Sequence, residues 1–453
     1  MVMNTTGPTE TEPEKQLVFS RLLLVFLVAG LVLRFVCAPL LTYDYDMYHW
    51  AVIMQNIDSG NRLYELTGYF YTPVWGYIMG TILMFWNMFC RIDVFGMKFT
   101  SFLRIEDMEH IYHISTITSP EFNLAMKVPL ILVDVLVGFL IYKVVKEYTN
   151  DSRKADIAFG FWFLCPIVFY MSGIQGMFDN ISALLILLCV LLVIRDDYFL
   201  GGLLFSLAVL LKLFPGACAL ILVIYVFKKN PERREACTRL LLAIAGGIIA
   251  ILVIMIPNIT NGDFTQTITM ITDRSDRFGL LGLLPYVLGI VLELLIAYRF
   301  SKETGSDIDR KLILYITYAA VCSMLFAYAP QYVIVVIPFI VICMLFDDRY
   351  RLCWLLIGAG AFISALALNN FSLLSSISAY WNVIPADSII DMMNAFETGV
   401  LGISAEFLFN AIGFVLEYAG LILILMMAFE KELVRKFPAL SSLYKVIWRE
   451  PDA

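Results

Sequence analysis

The chain has 453 residues, of which 60% are hydrophobic and only 16% charged, with a mean hydropathy of +0.81. A soluble fold cannot hide that much apolar surface, so soluble enzymes and nucleic-acid binders are excluded as classes. A net charge of −7 says little about partners when most of the surface faces lipid.

The first residues, "MNTTGPTETEPEKQ", are polar and too poor in apolar groups to order, so residues 1–17 are expected to be a disordered cytosolic tail. The apolar run that follows is too long for a cleaved signal and lacks a small-residue cleavage site, so it reads as an uncleaved anchor. Further apolar runs of about 20 residues recur along the chain, the length of a membrane-crossing helix. Transmembrane helices are expected to start near Phe19, Ala125, Ile157, Phe178, Tyr198, Gly216, Leu240, Leu280, Leu312, Gln331, Leu352 and Leu401, about twelve in all, with those at Tyr198 and Gly216 short. The fold class is an all-α polytopic membrane protein, because backbone groups in lipid must bond within their own segment.

Placing the N-terminus in the cytosol puts "KVVKEYTNDSRK", Arg195, "KKNPERREACTR", "RFSKETGSDIDRK", "RYR" and the tail 430–453 on the inner side. Cytosolic loops favour Lys and Arg, and the opposite orientation would reverse that bias. If residues 71–90 crossed the membrane, the Lys143–Lys154 cluster would move outside. They are therefore expected to lie in the outer interface, where their Tyr and Trp suit the layer. Residues 42–124 then form one large extracytoplasmic loop.

That loop opens with "LLTYDYDMYHW", which sets Asp44 and Asp46 where the first helix leaves the bilayer. Charged groups inside the apolar runs are costly, so each is a functional hypothesis. They are Asp134, Lys212, Arg34 and Glu293. The bland alternative for Lys212 is a structural ion pair with Asp134 or another acid. Pro215 follows Lys212 closely and should break its helix, leaving a cation at the outer end of a broken span, where a phosphate could meet it. Polar groups also gather in outer turns: Gln175, Asp179 and Asn180 in "SGIQGMFDNIS", Asp273, Arg274, Asp276 and Arg277 in "TITMITDRSDRFG", and Gln331 with Tyr332 in "FAYAPQYVIVVIP". Singly each suits a solvated turn; together they line one outward vestibule fit for a phosphate-bearing, sugar-bearing lipid. Nine Cys without CxxC spacing argue for neither zinc nor a disulfide framework. His110 and His113 are a weak i,i+3 metal pair. No Walker or dinucleotide glycine motif appears.

Five stretches in order resemble the GT-C superfamily of integral-membrane glycosyltransferases, which use polyprenyl- or dolichyl-phosphate sugars. They are "DYD" at Asp44–Asp46, "NRLYELTGYFYTP", "KVPLILVDVLVGFLIYKVVKE" with its internal Asp134, "CPIVFYMSGIQGMFDNIS", and "SLAVLLKLFPG" with Lys212 and Pro215; "FAYAPQYVIVVIPF" adds a likeness to prokaryotic members. The nearest look is to the mannosyltransferase type that adds the first mannose of the glycosylphosphatidylinositol anchor and to shorter prokaryotic relatives. Cys165 stands where that type has Asn before Pro166, and Val335 or Val336 near its aromatic.

The resemblance implies a GT-C module over 18–257 and a variable transmembrane module over 258–429. It implies inverting transfer of a hexose, mannose first, to a lipid, glycan or protein acceptor at the extracytoplasmic face. The membrane would be the plasma membrane in a prokaryote or the endoplasmic reticulum in a eukaryote. Asp44 or Asp46 would be the base, spaced so that in a helix they lie roughly 200° apart. Lys212 with Arg274 or Arg277 would neutralise the lipid phosphate, and Gln175, Asp179, Gln331, Tyr332 and Tyr45 would bind donor phosphate or sugar. Tyr43, Tyr48 and Trp50 are further stacking groups, with interfacial belting the readier role for Trp50. No cofactor is required; a divalent cation shared by Asp44 and Asp46 is the alternative. The rival classes are a transporter or flippase, which would place its charges near the midplane between inverted repeats, and an inactive accessory subunit of a glycosylation complex.

Overall fold

The computed structural model describes residues 20–64, 69, 71–89, 95–98, 116–259, 279–305, 307–325, 329–381, 383–399 and 403–437. Helix α1 (Arg21–Leu40) leads directly into α2 (Asp44–Asp58) and then α3 (Pro73–Phe89). A two-stranded antiparallel ribbon, β1 (Phe95–Lys98) with β2 (Thr116–Thr118), follows; the apolar pattern did not predict it. The long α4 (Pro120–Thr149) starts on Ser119, whose hydroxyl accepts from the Phe122 amide, with Pro120 set for the first turn. It stops at Asn150 in the left-handed conformation, a position Asn tolerates.

Asp151 caps α5 (Ser152–Phe163). Pro166 cannot continue that helix, and the chain bends by 52° into α6 (Pro166–Tyr170), which runs into a wide π turn over Met171–Gln175. Next come α7 (Asp179–Ile194) and the short α8 (Tyr198–Leu211). As Pro215 predicts, α8 ends before Lys212, and a 3-10 turn, Phe214–Cys218, precedes α9 (Ala219–Lys229). The chain continues through α10 (Arg233–Ile259), α11 (Gly279–Lys302), α12 (Ile308–Met324), a 3-10 turn Pro330–Val335, α13 (Ile337–Cys343) and α14 (Tyr350–Asn369). A further 3-10 turn (Asn370–Leu374) joins α14 to α15 (Ser375–Trp381), followed by α16 (Ala386–Thr398), α17 (Ala405–Ala428) and α18 (Glu430–Lys436).

Among the described residues helices lie at or near the expected starts, yet fewer than the expected twelve have the length and apolarity of a membrane span. Among the described residues, α1, α4, α10, α14 and α17 are individually long and apolar enough to cross a membrane, and the bent α5–α6 pair makes a sixth. The fold is all-α, of the polytopic membrane kind. Val25, Val28 and Val32 of α1, Leu241 and Leu252 of α10, and Phe407 and Val415 of α17 lie exposed, which suits faces turned to lipid rather than water. Small residues bring helices into backbone contact. A Cβ on Gly202 of α8 would sit 1.9 Å from Ala243 O of α10, and one on Gly360 of α14 would sit 2.6 Å from Gly413 O of α17.

Contacts sort the loops into two ends. At one end Arg195 pairs with Glu147, Lys229 with Asp196, Lys311 with Glu303, Arg299 with Glu432 and Arg349 with Glu430. These are the basic loops assigned to the cytosol. At the other end lie the termini of α1 and α8, the π turn and α2. Helix α3 stays there: Thr72 at its start bonds Leu210 O, and Trp86 near its finish donates to Ala125 O at 3.2 Å. Both contacts agree with the reading that residues 71–90 do not cross.

Candidate active site

The buried charges come in two sets. Arg34 of α1 and Asp134 of α4 are both fully buried and pair at 2.9 Å. Ser172 and Asn180 also donate to the Asp134 carboxylate, at 2.5 and 2.8 Å, and Arg34 donates to Phe163 O at 2.8 Å. A charge held in lipid needs this kind of complete pairing. Of the partners open to Lys212, Asp134 or another acid, the structure selects another acid: Arg34 takes Asp134, and Lys212 takes Asp179.

Lys212 Nζ lies 3.3 Å from Asp179 Oδ1. Both partners of this ion pair are buried. Asp179 stands in the first turn of α7, where the helix dipole favours an anion. The ammonium is boxed by rings, 4.4 Å from the centroid of Phe178, 5.1 Å from Tyr332 and 5.3 Å from Tyr71. Cations sit favourably over such faces. Lys212 reaches this box because α8 ends one residue earlier and the chain extends at Lys212 itself (φ −145°, ψ 135°).

Asp44 and Asp46 occupy the first turn of α2. Of the two conformations open to them, extended or helical, the chain takes the helical one, so their side chains leave on different sides. Their partners differ accordingly. Asp44 is buried and accepts from the Ser375 hydroxyl of α15, while its Oδ1 has no hydrogen-bond partner among the described residues. Asp46 is half-buried and accepts from Gln175 Nε2 at 2.7 Å. Burial pushes Asp44 up to about 7, against the pull of Ser375 and the field of Lys127. It pushes Asp46 up to about 6, opposed by Gln175 and the Lys212 field and reinforced by Asp179.

Lys127, which the sequence patterning missed, holds the segment from below. It is fully buried in α4 and donates to Ala38 O and Leu41 O at 2.8 Å each. These are carbonyls of the α1 C-terminus, which have no intrahelical partner and favour a cation. Its position at the mouth of an apolar run was the available signal. Asn369 and Ser375 gave no motif signal, because they lie far along the chain in a stretch without recognisable pattern.

Of the other predicted residues, Gln175 and Asp179 are buried rather than solvated, at 5% and 0% exposure. Gln331 and Tyr332 share the 3-10 turn Pro330–Val335, and the Tyr332 ring meets that of Phe214 in a tilted pair, centroids 4.4 Å apart. Tyr45 is half-buried, its ring 5.9 Å from that of Tyr43. The belting role expected of Trp50 is corrected: it is buried against Tyr71, Trp75 and Phe178, with ring centroids 5.6, 5.5 and 5.9 Å away. Arg274, Arg277, Asp273, Asp276, His110 and His113 lie outside the described residues. Among those described, no group of three or more His, Cys, Asp or Glu is placed to hold a metal ion.

One end of the bundle therefore carries two carboxylates of raised proton affinity, a caged cation and an amide between them. That set can take a proton from a hydroxyl and steady an anion. No curated protein matches the chain. Residues 120–301, which carry Asp134, Gln175, Asp179 and Lys212, match the family profile described as glycosyltransferase family 87, so that this part of the chain is similar to a family of glycosyltransferases.

Proposed function

We propose that the protein transfers a hexose from a polyprenyl- or dolichyl-phosphate sugar to a hydroxyl of a lipid, glycan or protein acceptor at the extracytoplasmic face. The observation that carries this reading is the half-buried Asp46, held by Gln175 in the field of the Lys212–Asp179 pair. The acceptor oxygen attacks the anomeric carbon, the carbon–oxygen bond to the phosphate breaks, and configuration inverts. Asp46 takes the acceptor proton, and the lipid phosphate leaves with the electron pair. Asp46 is the better base of the two acids because it is accessible, whereas Asp44 is spent on Ser375. A base whose affinity lies near the working pH gives the largest return.

Lys212 meets the departing phosphate, and Asp179 keeps the ammonium aimed while the ring box excludes water; Arg274 or Arg277 is a further candidate to neutralise the phosphate charge. Tyr45, Tyr332 and Gln331 line the sugar side. Mannose is the first sugar to test, a choice that rests on motif likeness. The basic loops at the far end support the reading that this end lies outside the cytosol. Purified protein in nanodiscs, given radiolabelled polyprenyl-phosphate mannose or glucose and a membrane-lipid extract, should move label to a new product, and Asp46→Asn should abolish it. Absence of transfer from every lipid-phosphate sugar by folded protein would overturn the reading.

A further inference from the structure

The segment Asn369–Ser375, at the turn from α14 into α15, lies outside the family match and outside every motif, yet it touches Asp44 directly and two of the groups around the acid pair, Thr42 and Gln175. Ser375 Oγ donates to Asp44 Oδ2. Leu373 O accepts from the Thr42 amide at 3.4 Å, two residues before Asp44. Asn369 Nδ2 reaches Gln175 Oε1 at 3.5 Å and also donates to the Tyr170 hydroxyl. The last contact matters for orientation. A primary amide has an oxygen face and a nitrogen face of similar shape, and Gln175 supports Asp46 only with its nitrogen turned toward the carboxylate. A donor on the opposite side, from Asn369, fixes that choice. Ser375 and Asn369 are buried, at 0% and 4% exposure, so water does not compete for either bond.

We propose that Asn369 and Ser375 are positioning residues for the acid pair, Asn369 by holding the Gln175 amide toward Asp46 and Ser375 by holding Asp44 and with it the first turn of α2. The inference rests on the transferase reading for its kinetic consequence but not for its geometry. Facing Asp44 are Ser375 and Lys127; facing Asp46 are Gln175, Lys212 and Asp179, with Tyr43 and Tyr45 nearby. Losing a donor to a carboxylate raises its proton affinity.

The test uses the full chain in nanodiscs, with Asn369→Ala, Ser375→Ala and Ser375→Thr. Infrared titration of isotope-labelled aspartate, assigned by Asp44→Asn and Asp46→Asn, gives each midpoint without need of activity. Asn369→Ala should raise the Asp46 midpoint, and Ser375→Ala the Asp44 midpoint. With a lipid-phosphate sugar, each Ala variant should lose about tenfold in kcat, the scale of one hydrogen bond to a charged group, with donor KM within about twofold, and Ser375→Thr should restore the wild-type value. Unmoved midpoints alongside reduced thermal stability would mean a merely structural segment and overturn the proposal. Should Ser375→Ala not fold, Ser375→Cys, of nearly equal size and a weak donor, carries the same expectation. Midpoints that move while wild type transfers nothing would sink the transferase reading and leave the positioning intact.

Discussion

Neutralising Asp134 as Asp134→Asn should be among the most destabilising single changes in the chain. Arg34 and Asp134 are both fully buried, and three donors (Arg34, Ser172 and Asn180) converge on the one carboxylate. Removing its charge leaves the Arg34 guanidinium with neutral partners alone, the carbonyls of Phe163 and Gly30, the Ser172 hydroxyl at 3.2 Å and the Phe163 ring, 4.1 Å away. Breaking one side of a buried pair costs roughly 3–5 kcal/mol, whereas replacing both partners by apolar groups of similar size is often nearly neutral. Arg34→Met should thus cost about as much as Asp134→Asn, and Arg34→Met with Asp134→Leu should cost less than either alone. The assay is reversible unfolding in mixed detergent micelles, followed by helix content, for wild type and the three variants. Single variants within about 1 kcal/mol of wild type, or a double variant whose loss equals the sum of the singles, would refute the reasoning.

Asp46→Asn should lower kcat by roughly 10²–10⁴-fold, the worth of a placed general base, with donor KM little changed in the same transfer assay. With Asp46 near 6 in the fold, transfer should rise with pH through an acid limb near that value, and a flat profile from pH 5 to 8 would count against Asp46. Asp44 binds its proton more tightly in the fold, at about 7 against an ordinary 3.8, so the folded state holds more protons than the unfolded chain between those values. Stability should therefore fall as pH rises across that window, and Asp44→Asn should flatten the slope of unfolding free energy against pH. Gly176 sits at φ +77°, and a Cβ there would lie 2.5 Å from Met47 Sδ; Gly176→Ala should cost roughly 1–3 kcal/mol, measured by the same unfolding titration.

The helical framework was legible because lipid demands long apolar runs, and Pro166 and Pro215 marked their breaks. Asp44, Asp46, Asp134, Gln175, Asp179 and Lys212 stood out because a charge or amide beside an apolar helix is costly without a reason. What was not legible was pairing. Arg34, Asp134, Lys212 and Asp179 allow more than one neutral matching, and only the rotation of each helix selects Arg34–Asp134 and Lys212–Asp179. The burial of Trp50 was hidden for the same reason, since an aromatic at the end of a span reads alike whether it faces headgroups or Phe178. The ribbon of β1 and β2 is too short for a period-2 pattern to register, and Asn369 and Ser375 act at a sequence distance that no local pattern spans.

The wide turn at Met171–Gln175 ties two networks to one short stretch of backbone: Ser172 serves the buried ion pair, and Gln175 serves Asp46. Each residue of ordinary helix turns the chain by about 100°. Loss or gain of a single residue between Pro166 and Gly176 would thus swing one amide or hydroxyl off its carboxylate while the other stayed in place. Length variation among descendants of this sequence should accumulate elsewhere and spare this stretch, so that its spacing, more than the identity of its apolar residues, is what inheritance must preserve.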